Sequence, residues 1–255
     1  MATDQPDRRL ALPFPNASGE PHFRLRLLGD FDLEYAHSAI AVSAFGQRLI
    51  AYLAIEQRPI HRSHVAGVFW PDVSEGRARG NLRTQLWRLR LQDRPIVEDT
   101  HGFLSLTSDI AIDVRDLTTM ARRALESSGE PDARLAGAMV RSDDVLVDWS
   151  EDWVVVERER FHQLRLHTLE RLCGELALQG EFGQAIELCL RAVSSEPLRE
   201  SAQRQLIQVY LAEGNGVDAL RQFHAYEALI SDELGLDPSD EMAALVRGLN
   251  PRRET

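Results

Sequence analysis

The sequence contains no lysine; all 29 basic residues are arginine. Without lysine a phosphate-cradling loop of the form G-x-x-x-x-G-K cannot be written, which excludes nucleotide binding of that kind. No apolar run approaches the length of a membrane span. Residues 1–21, with three prolines before Gly19, have no signal-peptide core and read as a flexible tail, so the expected location is cytoplasmic with no membrane partner. Cysteine is nearly absent too. Cys173 and Cys189 are too few for a disulfide framework or an unaided structural zinc site, and each is expected to be a buried small hydrophobe in a reducing compartment. The nearest histidine pair, His61 and His64, has no carboxylate or cysteine at ligand spacing. There is no nucleophile elbow, no carboxylate pair in an apolar setting and no dinucleotide fingerprint. The expectation is a non-enzyme with no catalytic residue, no metal and no cofactor.

What is present is an uneven distribution of charge. Residues 23–115 carry 12 arginines against 11 acids, whereas residues 116–255 carry 15 against 26, within a chain of net charge −11. A near-neutral half joined to an acidic half suits a DNA reader fused to a protein-contacting module. GC-rich coding explains the lack of lysine, since the acidic half lacks it as well. The same arginines nevertheless can bind phosphate or guanine edges bidentately.

The basic residues of the first half concentrate between Glu75 and Arg94, where Arg77, Arg79, Arg83, Arg88, Arg90 and Arg94 stand against two acids. At helical spacing Leu82, Leu86 and Leu89 share one side, and Arg77, Asn81, Thr84 and Arg88 cluster on the other, with Arg79, Arg83 and Arg90 along a flank. One stripe can dock on a core while the other meets a duplex; an ordinary solvated basic helix is the alternative. Trp87 is placed obliquely between the two stripes and is expected at the rim of the core rather than against DNA.

The surrounding pattern predicts a winged helix-turn-helix of the α+β class over residues 22–116. Phe23, Leu25 and Leu27 alternate with arginines as a first strand, and Ala39 to Val42 supply a further one. Phe45 to Ile55 has helical spacing, and a short helix capped by Ser63 follows, ended by Pro71. After the basic helix, Ile96–Val97 and Phe103–Leu106 flank a turn at Asp99 to Gly102 as a hairpin wing, with Arg94 and His101 as weaker candidates for backbone contact.

Residues 117–250 read as an all-α, tetratricopeptide-like repeat domain. A long helix opens around Trp149 and Trp153 and runs to about Gln179. A shift of 34 residues pairs Leu172 with Leu206, Cys173 with Ile207, Gly180 with Gly214, Ala185 with Ala219, Cys189 with Phe223 and Ala192 with Tyr226, which is the tetratricopeptide period. Gly180 and Ala185 are expected to let paired helices approach closely. A closing helix from Ser239 to Leu249 begins with a cap and early acids.

The chain resembles the SARP-type antibiotic regulatory proteins, which join a response-regulator-like winged helix to a bacterial transcriptional activator domain. The resemblance rests on Phe69-Trp70-Pro71, Ala78-Arg79-Gly80-Asn81-Leu82-Arg83, Leu86-Trp87-Arg88-Leu89-Arg90 and Ile112-Asp113-Val114. In the second half it rests on Asp152-Trp153, Glu157-Arg158-Glu159-Arg160, Glu196-Pro197-Leu198, Ala219-Leu220-Arg221-Gln222-Phe223 and the run Asp232 to Ser239. It spans roughly residues 22 to 250 and implies a transcriptional activator of a secondary-metabolite gene cluster. Such an activator binds direct repeats in double-stranded DNA beside a promoter, as head-to-tail protomers, and engages RNA polymerase holoenzyme. Carried over by position, the DNA-contacting set is Arg77, Arg79, Asn81, Arg83, Thr84, Arg88 and Arg90. The competing reading is an interaction scaffold whose winged helix docks protein rather than DNA.

Overall fold

The computed structural model describes residues 22–89, 95–126 and 131–249. These described residues fall into two compact units, one drawn from those up to 116 together with 143–159, the other from those of 117–142 and from 160–249.

The first unit opens with β1 (Phe23–Arg26), β2 (Asp32–Tyr35) and β3 (Ser38–Ala39), which with β7 (Ile110–Ile112) make a sheet of order β3-β2-β1-β7. β1 and β2 pair antiparallel, whereas β7 joins β1 in parallel. Alternation dictates the strand: Phe23 and Leu25 are buried while Arg26 faces out and pairs with Asp32 at 3.1 Å. Then come α1 (Ala44–Glu56), β4 (Ile60–His61), α2 (Arg62–Phe69), α3 (Glu75–Arg88), β5 (Val97–Thr100) and β6 (Phe103–Leu106). Ser43 caps α1 by accepting from the Gly46 N–H, and Gln57 ends it in a left-handed conformation at φ 54°. The second cap differs from expectation. His61, not Ser63, caps α2, its Nδ1 accepting from the Ser63 N–H at 3.3 Å; an imidazole can supply the acceptor that a hydroxyl was expected to supply, and the Ser63 hydroxyl is engaged elsewhere.

The three-stranded sheet has order β4-β6-β5, so the strand entering α2 pairs with the wing hairpin. At the tip His101 (φ 54°) and Gly102 (φ 83°) both take the left-handed conformation that a two-residue hairpin turn requires. The Arg62 N–H donates to the Gly102 carbonyl at 2.9 Å, and the Arg62 guanidinium pairs with Asp99 at 3.2 Å. Helix α2 and the wing therefore hold each other.

Residues 143–159 complete this unit. The Leu146 N–H donates to Leu27 O, the Gly29 N–H to Asp144 O and the Val147 N–H to Gly29 O, at 2.9, 2.9 and 3.1 Å. Beside them the buried Asp113 carboxylate accepts from the N–H groups of Leu27 and Leu28 at 2.9 and 3.0 Å. Arg158 donates to the carbonyls of Val145 (2.9 Å), Leu146 and Trp149 (2.8 Å). Backbone groups that leave the sheet thus find side-chain partners instead of water. A relay of rings, Phe31 to Trp149, Trp149 to Trp153, Trp153 to Tyr52, Tyr52 to Phe69 and Phe69 to Phe45, with centroids 5.2 to 6.3 Å apart, fills the space between.

Helix α4 (Asp113–Glu126) starts in the first unit and ends in the second, which also contains α5 (Ala133–Arg141) and most of α6 (Asp152–Leu178). It continues with α7 (Phe182–Ser195), α8 (Glu200–Glu213), α9 (Gly216–Leu234), α10 (Asp240–Val246) and a 3-10 turn at Arg247–Leu249. The repeat offset is realised as α6/α7 and α8/α9 hairpins, and Leu172, Leu206, Ala185, Ala219, Ala192 and Tyr226 are all buried. Gly180 and Gly214 sit at the two turns with φ 79° and 87°. A Cβ at Gly180 would meet nothing within 4 Å, so its role is backbone conformation, not the close helix approach expected of it. Ser239 caps α10, accepting from the Met242 N–H at 3.2 Å.

Cys173 and Cys189 are buried as expected, but they are not separate hydrophobes: they form a disulfide between α6 and α7 with Cα atoms 6.1 Å apart. Each faces inward on its own helix, and the hairpin brings those two faces together at bonding distance. The bridge closes a segment with a sequence separation of 16. Cross-linking a loop of this size stabilises by about 3 kcal/mol. Urea melts of the full chain should therefore show the helical unit destabilised by about that amount when reductant is added; an unchanged midpoint would show that the bridge contributes nothing.

Asp113 generates a second prediction. Burial pushes its carboxyl up to about 6, against the opposing pull of the N–H groups of Leu27, Leu28 and Val114. The folded chain therefore holds this proton more tightly than the unfolded chain, whose carboxyl titrates near 4. The stability it contributes is full below about pH 4 and is lost as pH rises through about 6. In thermal melts from pH 4 to 8, Asp113→Asn should gain on wild type across that window and level off above it. A constant difference would contradict the assignment.

Candidate nucleic-acid interface

Helix α3 owes its orientation to Ala78, Leu82 and Leu89, all buried. Gly46 of α1 makes the approach possible, because a Cβ there would lie 2.6 Å from Leu89 Cδ2 and 2.6 Å from Val42 Cγ1. With the inward face fixed, Arg77, Arg83, Thr84 and Arg88 are exposed, and Asn81 is half-buried at the edge. Among the described residues, Arg77, Arg83 and Arg88 have no ion-pair partner, so three guanidinium groups face water with their hydrogen-bonding capacity unspent.

The other expected contact residues are placed differently. Arg79 reaches across to α2, where its Nε and Nη2 donate to the Ser63 hydroxyl at 3.1 and 2.8 Å, and it pairs with Glu75 at 3.2 Å. It braces the two helices of the turn and holds its charge at the start of α2. The Thr84 hydroxyl donates to the Gly80 carbonyl at 3.1 Å, a bond within the helix. His101 is exposed at the wing tip. Arg90 and Arg94 lie outside the described residues.

Two features were not anticipated. The Ser63 hydroxyl is the anchor of Arg79, a pairing 16 residues apart that depends on how α2 and α3 cross. Trp87 is not at the core rim: it is 71% exposed. Counted from Thr84 it lies three residues on, and from Gly80 seven, which puts all three on the stripe opposite Leu82.

Among the described residues no group of histidine, cysteine and acidic side chains could hold a metal ion, and no helix is long and apolar enough to cross a membrane.

The profile of the bacterial transcriptional activator domain family matches residues 112–249. The chain is 26% identical over 206 residues to a regulatory protein AfsR of Streptomyces griseus, and 26% identical over 199 residues to AfsR of Streptomyces coelicolor. These matches cover 77% and 74% of the chain but 21% and 20% of the relatives, so the chain spans about a fifth of their length. The fold is similar to that of Mycobacterium tuberculosis EmbR, solved in complex with a low affinity phosphopeptide, with a TM-score of 0.67 at 18% identity over 89% of this chain and 64% of that one. A winged helix followed by a tetratricopeptide-like helical domain is thus the observed fold class. The chain belongs to the bacterial transcriptional activator domain family.

Proposed function

We propose that the chain activates transcription by binding double-stranded DNA in a sequence-specific way, with α3 in the major groove and the wing against the adjoining backbone. The observation that carries this reading is the outward face of α3, where Arg77, Arg83 and Arg88 stand exposed on a helix whose opposite face is locked into the core. Guanidinium groups in that position meet either phosphate oxygens or the O6 and N7 edge of guanine. Arg79, steadied by Ser63 and Glu75, suits a backbone phosphate, because a contact that positions the helix needs a side chain that is already positioned. His101 at the wing tip is a second backbone candidate, and Asn81 and Thr84, with Arg90 and Arg94 outside the described residues, complete the expected set.

By its resemblance, the target is a direct repeat beside a promoter of a secondary-metabolite gene cluster, occupied by head-to-tail protomers that engage RNA polymerase holoenzyme. The acidic helical unit would supply protein contact, since its charge opposes any approach to DNA.

Salt-titrated gel shifts on promoter fragments test the reading. Wild type should form a specific complex whose log affinity falls linearly with log salt, with a slope of about −0.9 per phosphate neutralised. Replacing Arg77, Arg83 and Arg88 by alanine one at a time should separate two roles. A phosphate contact lowers affinity for every sequence and flattens the slope by about one, whereas a base contact costs about 1 to 3 kcal/mol and relaxes preference at one position. No specific complex at low salt, or a triple variant that activates like wild type, would instead favour the scaffold reading.

A further inference from the structure

We infer that, given the DNA-binding reading above, Trp87 is a specificity-determining residue whose indole packs on the 5-methyl group of a thymine in the major groove. Three of the four tryptophans, Trp70, Trp149 and Trp153, belong to the ring relay of the first unit or stack on it. Trp87 has no aromatic partner among the described residues and leaves 71% of its surface in water. An isolated, largely exposed indole is costly, since tryptophan carries the largest apolar surface of any side chain and is normally well buried. Its position limits what can cover it. It shares the outward stripe of α3 with Gly80 and Thr84, between Arg83 on one side and Arg88 on the other. An apolar ring flanked by cations fits a ligand that is anionic at its edges and apolar at its centre. The floor of the major groove at a thymine, lined on both sides by phosphates, has that pattern.

The rest of the stripe lets the ring reach the groove. A Cβ at Gly76 or at Gly80 would meet nothing within 4 Å, so the first two turns of α3 present bare backbone on this side. The Thr84 hydroxyl is occupied by the Gly80 carbonyl, leaving Trp87 as the bulkiest group on the outward stripe. Ten residues separate it from Arg77, about 15 Å along the helix axis and hence at most about four base pairs along the duplex. Trp87 therefore reads a different part of the site from the start of the helix. An indole–methyl contact releases no counterions, so it adds discrimination without steepening the salt dependence.

The test uses the full chain and a duplex that the wild type selects from a random pool. Each thymine of that duplex is replaced in turn by deoxyuridine, which differs only by the methyl group. For wild type, one thymine in each half-site should lose about three- to fivefold in affinity, the worth of one buried methyl. Trp87→Ala should abolish that penalty while keeping the salt slope and the thermal midpoint of wild type, and Trp87→Phe should retain part of the penalty. An unchanged uracil penalty in Trp87→Ala, or no penalty at any thymine for wild type, overturns the assignment. So does a variant that binds DNA like wild type but no longer activates transcription, since the indole would then serve a protein partner. Failure of the wild type to select any duplex is a separate outcome: it appears before any variant is compared and sinks the DNA-binding reading along with this one.

Discussion

Three apolar side chains, Ala78, Leu82 and Leu89, pin one face of α3 to the core of the first unit, and Gly46 leaves the room in which Leu89 sits. Full burial of a leucine such as Leu82 stabilises by about 1.5 to 3 kcal/mol, enough to fix the helix in rotation about its own axis. That rotation decides everything on the opposite side. A turn of one residue would carry Arg88 toward the core and bring a leucine out, so the chemistry of the exposed face is a by-product of how the hidden face packs. The wing is fixed to the same frame by the pairing of β4 with β6 and by Arg62, which bonds the turn through both its backbone and its side chain. A recognition helix and a wing that are rigid before contact lose less entropy on binding.

The first unit is also built from residues distant in sequence. Asp113 satisfies two N–H groups where β1 ends, and the chain from Asp143 to Val147 bonds the same stretch from the other side. Arg158 collects three carbonyls from the segment that precedes α6, including that of Leu146, which is buried in a left-handed conformation at φ 46°. Satisfied polar groups of this kind are costly to disturb, because removing one partner strands the others away from water. Asp113 and Arg158 both lie within the motifs by which the chain resembles its family, and these bonds give a physical reason for an acid and an arginine at those two places.

How much of this could be read from the residues alone depended on whether the signal was local. The leucine spacing of α3, the hairpin after it and the 34-residue offset are all periodic, and periodicity survives without knowledge of tertiary contacts. Gly180 and Gly214 matched in register, although their purpose is a left-handed turn rather than close packing. Contacts between elements were not legible. The disulfide needed the relative phase of α6 and α7, and burial alone predicts two thiols as well as one bridge. The cap of α2 is His61 rather than Ser63 because the helix begins at Arg62, one residue before the serine, whose hydroxyl accepts from Arg79, 16 residues downstream. Trp87, oblique between the two stripes, is expected at the rim of the core, but its side chain is left 71% exposed on the outward side; angular position alone does not decide to which side such a ring falls.

The central claim, that the outward face of α3 enters a major groove, is tested most directly by methylation interference on a duplex carrying the bound site. Dimethyl sulfate places a methyl on guanine N7, in the floor of the major groove, without altering the phosphates. The account predicts that methylated guanines within each half-site are excluded from the complex. Complexes that tolerate N7 methylation throughout the protected region would contradict it, since binding would then run along the backbone alone.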